Sequence, residues 1–471
     1  MSLFKNELFL PVLLFAHLIA FPVAAQTIRA DDDTTLRQII FFGRHSIRSS
    51  THPAAALDQF SADPTPGFPG VPAGYLTPRG QQAAQLLGTY FNQYLTAQGL
   101  LTGDPVTDLA RSYFHANSIQ RSNITAAFFG TGLIPGASVP VHSYALGTPD
   151  PVFDPVAAGI VTIDASRAVS EAEGVFGSGA ALEAAYGAEL ALIRGVLYPP
   201  GTAPLQPPGS APAPGDPPGP QGSYDPSAIP ITLEPVTNVA NAGAAIWAGG
   251  LDYLESATDP FVMQYADNLD LSEVAWGRLT PETLSQKTRL TVLGFYIEMC
   301  LPYLARKQSS NAASHILRTM VQAVWNVSLR GAFGNRSSRI VAVVSSDTFV
   351  AGLAGLLGLH WALPGYQPDF CSPGGALVFE LRQNNRTKEH VVRVYYTSQT
   401  FDQLRALTQL DAQTPPATMQ LLVPGGSRSA TDLDVPWAAW ARLMRGLIDR
   451  KSVEPYWKDI PPAVLTGVPL E

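Results

Sequence analysis

Apolar positions along the chain follow two periods. The run LRQIIFFG at 36–43 is short, β-branched and aromatic, and it ends on glycine; this predicts a buried strand. Runs of the same kind predict strands at 112–118 (SYFHANS), 339–346 (RIVAVVSS), 376–383 (ALVFELRQ) and 391–398 (VVRVYYTS). Helical spacing governs 78–100, where Ala83, Leu86, Leu87, Tyr90 and Phe91 share a face and Pro78 suits a first turn. Helices are also expected through SNITAAFFG at 122–130 and TFVAGLAGLLGL at 348–359, each directly after a strand. The middle of the chain carries mainly helical patterns, clearest at 166–197 and 281–307.

Strands near both ends around a helical middle predict an α/β fold: a core sheet with flanking helices plus a helical insertion, or cap. The expected core is 26–155 with 310–471, and the expected insertion is 156–309. Within the insertion, 199–230 is dense in Pro, Gly, Ala and Ser, a composition that cannot bury enough surface to fold alone. It is expected to be a mobile loop, the alternative being a hinge between two globular domains.

Composition narrows the function classes. Of 471 residues 46% are hydrophobic, enough for a sizeable core, and the formal charge of −8 gives nucleic-acid binding no electrostatic support. Lys5, the apolar run at 8–25 and the small residues Val23-Ala24-Ala25 before Gln26 predict a cleaved export signal at 1–25. A membrane anchor is the alternative, but Pro11, His17 and Pro22 interrupt the run. No second apolar run of about 18 residues follows, so no membrane contact is expected after cleavage, and the protein is expected to be periplasmic or secreted. Export would allow the two cysteines, Cys300 and Cys371, to pair. Asn123, Asn326, Asn335 and Asn385 head glycosylation sequons that matter only in a glycosylating host. Neither a metal nor another cofactor is expected.

The strand at 36–43 runs directly into Arg44-His45-Ser46-Ile47-Arg48-Ser49-Ser50. Two guanidiniums and an imidazole in a loop after a strand can converge on one pocket. Guanidiniums grip phosphate oxygens as planar forks, and an imidazole nitrogen can attack phosphorus and hold the phosphoryl group covalently.

At this stretch the sequence resembles the histidine acid phosphatases, branch 2 of the histidine phosphatase superfamily, and most of all their periplasmic phytase and acid phosphatase group. The family's Arg-His-Gly-x-Arg-x-Pro stands here with Ser46 for the glycine and Ser50 for the proline. Further similar segments follow in order: GYLTPRG at 74–80, ANSIQRSNITAAFFGTGLIPG at 116–136, TPDPVFDP at 148–155, WGRLT at 276–280, LHWALPG at 359–365 and SPGGALVFELR at 372–382. The family's second motif, His-Asp between a strand and a helix, falls on Ser346-Asp347. Helix N-capping is the plain reading of those two residues, and it is compatible with binding an anion at the helix start.

The resemblance implies a phosphomonoesterase acting on a small phosphorylated substrate. His45 would be the nucleophile; Arg44, Arg48 and Arg121 would clamp the phosphoryl oxygens; Asp347 would protonate the leaving alcohol and then activate water. Acidic pH is the expected working range. Ser346 would take the place of a histidine that donates to the phosphate. A hydroxyl is shorter and uncharged, so the exchange is expected to cost on the order of 2–4 kcal/mol of transition-state stabilisation. The resemblance also puts Thr51, His52, Asn117, Asp259 and Arg278 at the substrate rim, with His52 and Asn117 departing from the lysine and the acidic residue common there. Two other readings stay open: a catalytically impaired homologue that only binds phosphorylated ligands, and a carbohydrate-processing or structural exported protein.

Overall fold

The computed structural model describes residues 33–212, 216–236, 245–455 and 460. The expected export signal at 1–25 lies outside the described residues. Among the described residues ten strands are present: β1 (Thr34–Arg44), β2 (Ser112–Ala116), β3 (Val141–His142), β4 (Glu234–Pro235), β5 (Ile246–Trp247), β6 (Ile340–Ser345), β7 (Ala376–Asn384), β8 (His390–Ser398), β9 (Ala417–Gln420) and β10 (Val435–Pro436). Strands β4 and β5 form a separate two-stranded ribbon. The other eight form one sheet in the order β10-β8-β7-β1-β6-β2-β3, with β9 also on β8.

Strands β1, β6, β2 and β3 run parallel, whereas β7 to β10 are antiparallel additions beyond β1. The near-continuous apolar character of β1 follows from burial on both faces. Ile40 and Phe42 pack into one core with Phe153, Val343, Leu377 and Trp440. Ile39 and Phe41 pack into the other with Leu87, Phe91, Phe129 and Ala342. The α/β fold with a core sheet and flanking helices is thus as the sequence predicts.

Two helices cover the second face and reach the parallel edge. The helix Pro78–Ala97 starts with Pro78 in its first turn and is capped by the Thr77 side chain. It lies against the helix Gln120–Leu133 at backbone contact distance: a Cβ on Gly88 would sit 2.1 Å from the Phe129 carbonyl oxygen, and one on Gly132 2.1 Å from that of Gln85. Only glycine at both positions permits that approach.

Between β5 and β6 come the helices Gly250–Ala266, Pro281–Phe295 and Pro302–Trp325, the last two joined by a wide turn at Tyr296–Cys300. The expected single helix at 281–307 is therefore broken before Pro302, which has no N–H to continue it. The expected helix at 166–197 is three: Ala165–Phe176, Gly179–Ala185 and Gly187–Leu197, interrupted at Gly177 and Tyr186.

Where it is described, the loop at 199–230 is hydrogen-bonded within itself and to a neighbouring segment. It doubles back on itself, with the N–H groups of Leu205 and Gln206 donating to the carbonyls of Gly222 and Ser223. It is also tied to the chain at 58–62 through Gly222 N–H to Asp58, Tyr224 N–H to Gln59 and the Gln221 amide to Ala62. The loop needs no core of its own because it borrows polar partners from that neighbouring segment. Cys300 and Cys371 are free thiols.

Candidate active site

The parallel strands β1, β6 and β2 end side by side, with Arg44 opposite Ser345 and Ala116 opposite Val344. At this edge the sheet also changes direction, since β1 has a parallel neighbour on one side and an antiparallel one on the other. Open α/β sheets bind ligands outside the carboxyl ends of their strands at such a switch point. Two helices begin there, Gln120–Leu133 after β2 and Asp347–Leu357 after β6, and both direct N–H groups at the crevice.

The chain leaving β1 is pinned from both sides. His45 N–H donates to the Ser345 carbonyl (2.8 Å), the His45 carbonyl accepts from Gly374 N–H (3.0 Å), and Arg44 N–H donates to Gly375 (2.8 Å). Ser46 N–H donates to the Thr125 hydroxyl (3.1 Å), tying the loop to the helix that carries Arg121. Thr77 N–H holds the Ile47 carbonyl (3.0 Å). Gly80 lets that carbonyl approach, because a Cβ there would lie 2.1 Å from the Ile47 oxygen.

His45 is buried, and its Nδ1 lies 2.8 Å from the Ser46 carbonyl oxygen. A carbonyl only accepts, so Nδ1 carries the proton and Nε2 keeps its lone pair. Burial, with the charges of Arg121, Arg44 and Arg48, holds the imidazole well below its ordinary range. The ring is therefore the free base in acid where an exposed histidine would be protonated.

Each arginine is oriented by an acceptor. Arg44 donates to the Cys371 carbonyl (2.6 Å) and pairs with Asp347 (2.8 Å). Arg48 makes a two-pronged pair with Asp259, both bonds 2.8 Å, and donates to the Ser49 carbonyl (3.0 Å). Arg121 reaches the Gly74 carbonyl at 3.3 Å. Burial and the repulsion of Arg48 and Arg44 bring Arg121 down to about 10, so it remains a cation at any working pH. The Nε atoms of all three arginines are buried without a hydrogen-bond partner. Three concentrated guanidiniums with unused donors are arranged to receive an anion.

Ser346 occupies the N-cap position of the 347–357 helix, but its hydroxyl does not cap. It pairs instead with the Thr348 hydroxyl at 2.7 Å. Asp347, the first residue of that helix, accepts from Thr348 N–H (3.1 Å) and faces Arg44. Asp259 belongs to the same cluster: burial alone would raise its carboxyl, but Arg48 outweighs it and brings it to about 2.

The remaining rim residues separate. Thr51 lies beside Gly74 and Arg121, since a Cβ on Gly74 would contact both. His52 is exposed next to it. Asn117 is buried directly after β2, its side-chain oxygen accepting from Ser118 N–H. Arg278 is engaged elsewhere: it pairs with Asp63, donates to the Val196 carbonyl and stacks 5.1 Å over Trp276. None of these partners belongs to the arginine cluster.

Residues with no sequence motif complete the surroundings. The Thr125 hydroxyl and the carbonyls of Gly74 and Cys371 set the loop and the arginines. Asp252 and Glu255 share the Gly250–Ala266 helix with Asp259, and Glu298 faces Asp252 from the wide turn. The spacing from Asp259 back to Glu255 and Asp252, four and seven residues, is a helical signal once that helix is recognised.

A sheet of this topology, with a free-base imidazole, three arginines and a carboxyl at its parallel edge, defines an α/β protein built for phosphoryl groups. Comparison with known proteins gives the class its name. The family model for the histidine phosphatase superfamily (branch 2) matches residues 261–397, which include Ser346 and Asp347. Phytase AppA of Escherichia coli (strain K12) is 27% identical over 404 residues, 84% of this chain and 88% of that protein. A glucose-1-phosphatase of Providencia rettgeri is 27% identical over 407 residues, 85% of this chain and 89% of that one. The Hafnia alvei phytase in complex with tartrate superposes with a TM-score of 0.77 at 26% identity, covering 90% of this chain and all of the other. Residues 261–397 thus match the histidine phosphatase superfamily (branch 2), and over most of its length the chain is similar in sequence and fold to phytases and glucose-1-phosphatases.

Proposed function

We propose that the protein is an acid phosphatase that hydrolyses small phosphomonoesters through a phosphohistidine, with phytate and sugar phosphates as candidate substrates. The observation that carries this reading is the His45 imidazole, fixed as the Nδ1–H tautomer by Ser46 and kept unprotonated among three arginines. Nε2 attacks phosphorus, the ester P–O bond breaks, and Asp347 gives its proton to the departing alkoxide. Water then attacks the phosphohistidine; Asp347 takes its proton, and the N–P bond breaks to restore His45. Arg44, Arg48 and Arg121 hold the non-bridging oxygens through both steps, and the helix starts at 120 and 347 add their dipoles. Arg44 already pairs with Asp347, so it holds the carboxyl beside the position the phosphate would take.

The test is His45→Ala in the mature protein. Phosphate release from an aryl phosphate is expected to fall by at least about 10³-fold. Full activity in that variant would overturn the reading.

The pairing of the Ser346 hydroxyl with Thr348 supports a second reading, a homologue that binds phosphorylated ligands with little turnover. Saturable phosphate binding without release of alcohol from any monoester would favour it.

We further propose that 1–25 is a cleaved export signal and that the mature chain acts in the periplasm or outside the cell. Among the described residues no helix is long and apolar enough to cross a membrane. The division into a core (26–155, 310–471) and a cap (156–309) is supported by the origin of the large sheet, whose strands come only from 34–142 and 340–436. The Pro302–Trp325 helix runs unbroken through the later boundary.

A further inference from the structure

Arg44 and the His45 main chain lean on one stretch, residues 371–375, which leads into β7. The Cys371 carbonyl accepts from the Arg44 guanidinium (2.6 Å) and the Gly375 carbonyl from Arg44 N–H (2.8 Å), while Gly374 N–H donates to the His45 carbonyl (3.0 Å). The same guanidinium holds Asp347 (2.8 Å). These groups keep their places only if the stretch is itself fixed, and Gly374 and Gly375 give its backbone freedom to move.

The fixing comes from behind, from β8. Tyr396 is fully buried, and its hydroxyl accepts from Ser372 N–H (3.1 Å) and lies 3.3 Å from the Ser372 hydroxyl. Ser372 Oγ is 2.6 Å from Ser398 Oγ, which lies 3.0 Å from the Gln399 carbonyl oxygen. A carbonyl only accepts, so the hydroxyls form a chain with one direction: Tyr396 donates to Ser372, Ser372 to Ser398, and Ser398 to Gln399. Tyr366 donates to the same Gln399 carbonyl at 2.7 Å. The Tyr396 ring is stacked on Trp361, with centroids 4.1 Å apart and planes at 13°. The Trp361 indole N–H donates to the carbonyl of Phe370, the residue before Cys371 (3.2 Å). Gly375 leaves no slack, since a Cβ there would be 2.1 Å from the Tyr396 hydroxyl oxygen and 2.8 Å from that of Ser372.

We propose that Tyr396 is a positioning residue for the phosphatase reaction: through Ser372 its hydroxyl sets the 371–375 stretch, and through that stretch the direction of Arg44 and the seat of the nucleophile. This rests on the phosphatase reading and adds a residue to it. The one proton of the Tyr396 hydroxyl is given to Ser372, so its effect reaches the reaction through the groups that the stretch holds. Tyr396→Phe keeps the ring and its stacking on Trp361 but takes the acceptor from Ser372 N–H and the donor from Ser372 Oγ. A buried N–H left unpaired is costly, so the chain shifts to relieve it, and the Cys371 carbonyl shifts with it. The antiparallel half of the sheet thereby takes part in a site built at its parallel edge.

The test is a double-mutant cycle in the full mature chain: wild type, Tyr396→Phe, Arg44→Lys and the pair. Each is read by kcat/KM on p-nitrophenyl phosphate and by the dissociation constant of inorganic phosphate. Tyr396→Phe is expected to lower kcat/KM about tenfold in the wild-type background, and less than about threefold where Arg44 is already lysine. Phosphate affinity is expected to fall with the same dependence on background. A residue that serves stability alone costs the same factor in both backgrounds, so equal losses would overturn the proposal, as would full activity in Tyr396→Phe. Ser372→Ala breaks the same chain one hydroxyl further on; it is run through the same cycle and decides the question if Tyr396→Phe is not recovered folded. Absence of p-nitrophenyl phosphate turnover by the wild type would instead sink the phosphatase reading, and the cycle in phosphate dissociation constants would still decide the positioning.

Discussion

At the scale of single residues, the site turns on which hydrogen bonds are already spent. His45 Nδ1 is spent on Ser46, which frees Nε2. The Ser346 hydroxyl pairs with that of Thr348 at the place where a histidine of the similar family would reach the phosphate. Ser346→His is therefore expected to raise kcat on an aryl phosphate by about tenfold or more, because it restores a charge-assisted contact in the transition state. Steady-state kinetics of that variant check this; an unchanged kcat would mean that the helix starts and arginines already supply the full stabilisation. The depressed imidazole gives a second expectation. A lowered pKa keeps the free base as pH falls, so kcat/KM should show no loss centred near 6.5, the ordinary imidazole value, on its acid limb. A limb at that value would show that burial and the three arginines do not govern the nucleophile. That Arg44, His45, Arg48, Arg121 and Asp347 come together was legible from motif order, because each lies within a few residues of a strand end. The Ser346–Thr348 bond and the unspent Nε donors were not legible, since hydroxyl and guanidinium partners depend on rotamers.

At the scale of elements, apolar period two and period 3.6 were enough to find β1, β2, β6, β7, β8 and the helices at 78–97 and 120–133. Two helices between β5 and β6 escaped that reading, the second of them beyond residue 307, for physical reasons. Gly250–Ala266 contains Pro260, which ordinarily breaks a helix, and here the helix continues through it. The middle of Pro302–Trp325 is buried on all sides but polar, with Gln308, Asn311, Ser314, His315, Arg318 and Thr319 inside, so no apolar stripe marks it. The partners of Arg278, Asp63 and Val196, come from segments far away in sequence and could not be read from it. The most demanding contact between elements is that of the 78–97 and 120–133 helices, and it bears on function because the second carries Arg121. Gly88→Ala must separate helices whose backbones leave no room for a Cβ. It is expected to cost about 1–3 kcal/mol of stability and to weaken inorganic phosphate binding, as Arg121 moves out with its helix. Chemical denaturation and calorimetric phosphate titration read the two effects separately; unchanged phosphate affinity would show that the arginine is held by Gly74 alone.

For the whole molecule, the arginine cluster at the sheet edge is joined by a carboxylate from the Gly250–Ala266 helix. Arg48 and Asp259 make that junction: one follows β1, the other lies more than 200 residues later, and their two bonds of 2.8 Å join the loop after β1 to that helix. The pair aims the guanidinium and ties the two segments together. Its pH dependence follows from the sign of the shift. The Asp259 carboxyl is lowered to about 2 in the folded protein, against about 3.9 in an unfolded chain. Its contribution is therefore complete above the unfolded value and is lost as pH falls from about 4 toward 2. Asp259→Asn is expected to lower the unfolding free energy by about 1–2 kcal/mol at pH 6 to 7, since Arg48 is left buried without its counter-charge. Between pH 7 and 5 the gap between wild type and variant should stay constant. Below about pH 4 it should narrow, because the wild type then loses the same charge by protonation. Urea unfolding of both proteins across that range measures the gap directly. A gap that widens in acid, or that changes already between pH 7 and 5, would show that the Arg48–Asp259 pair is not what joins the loop after β1 to the Gly250–Ala266 helix.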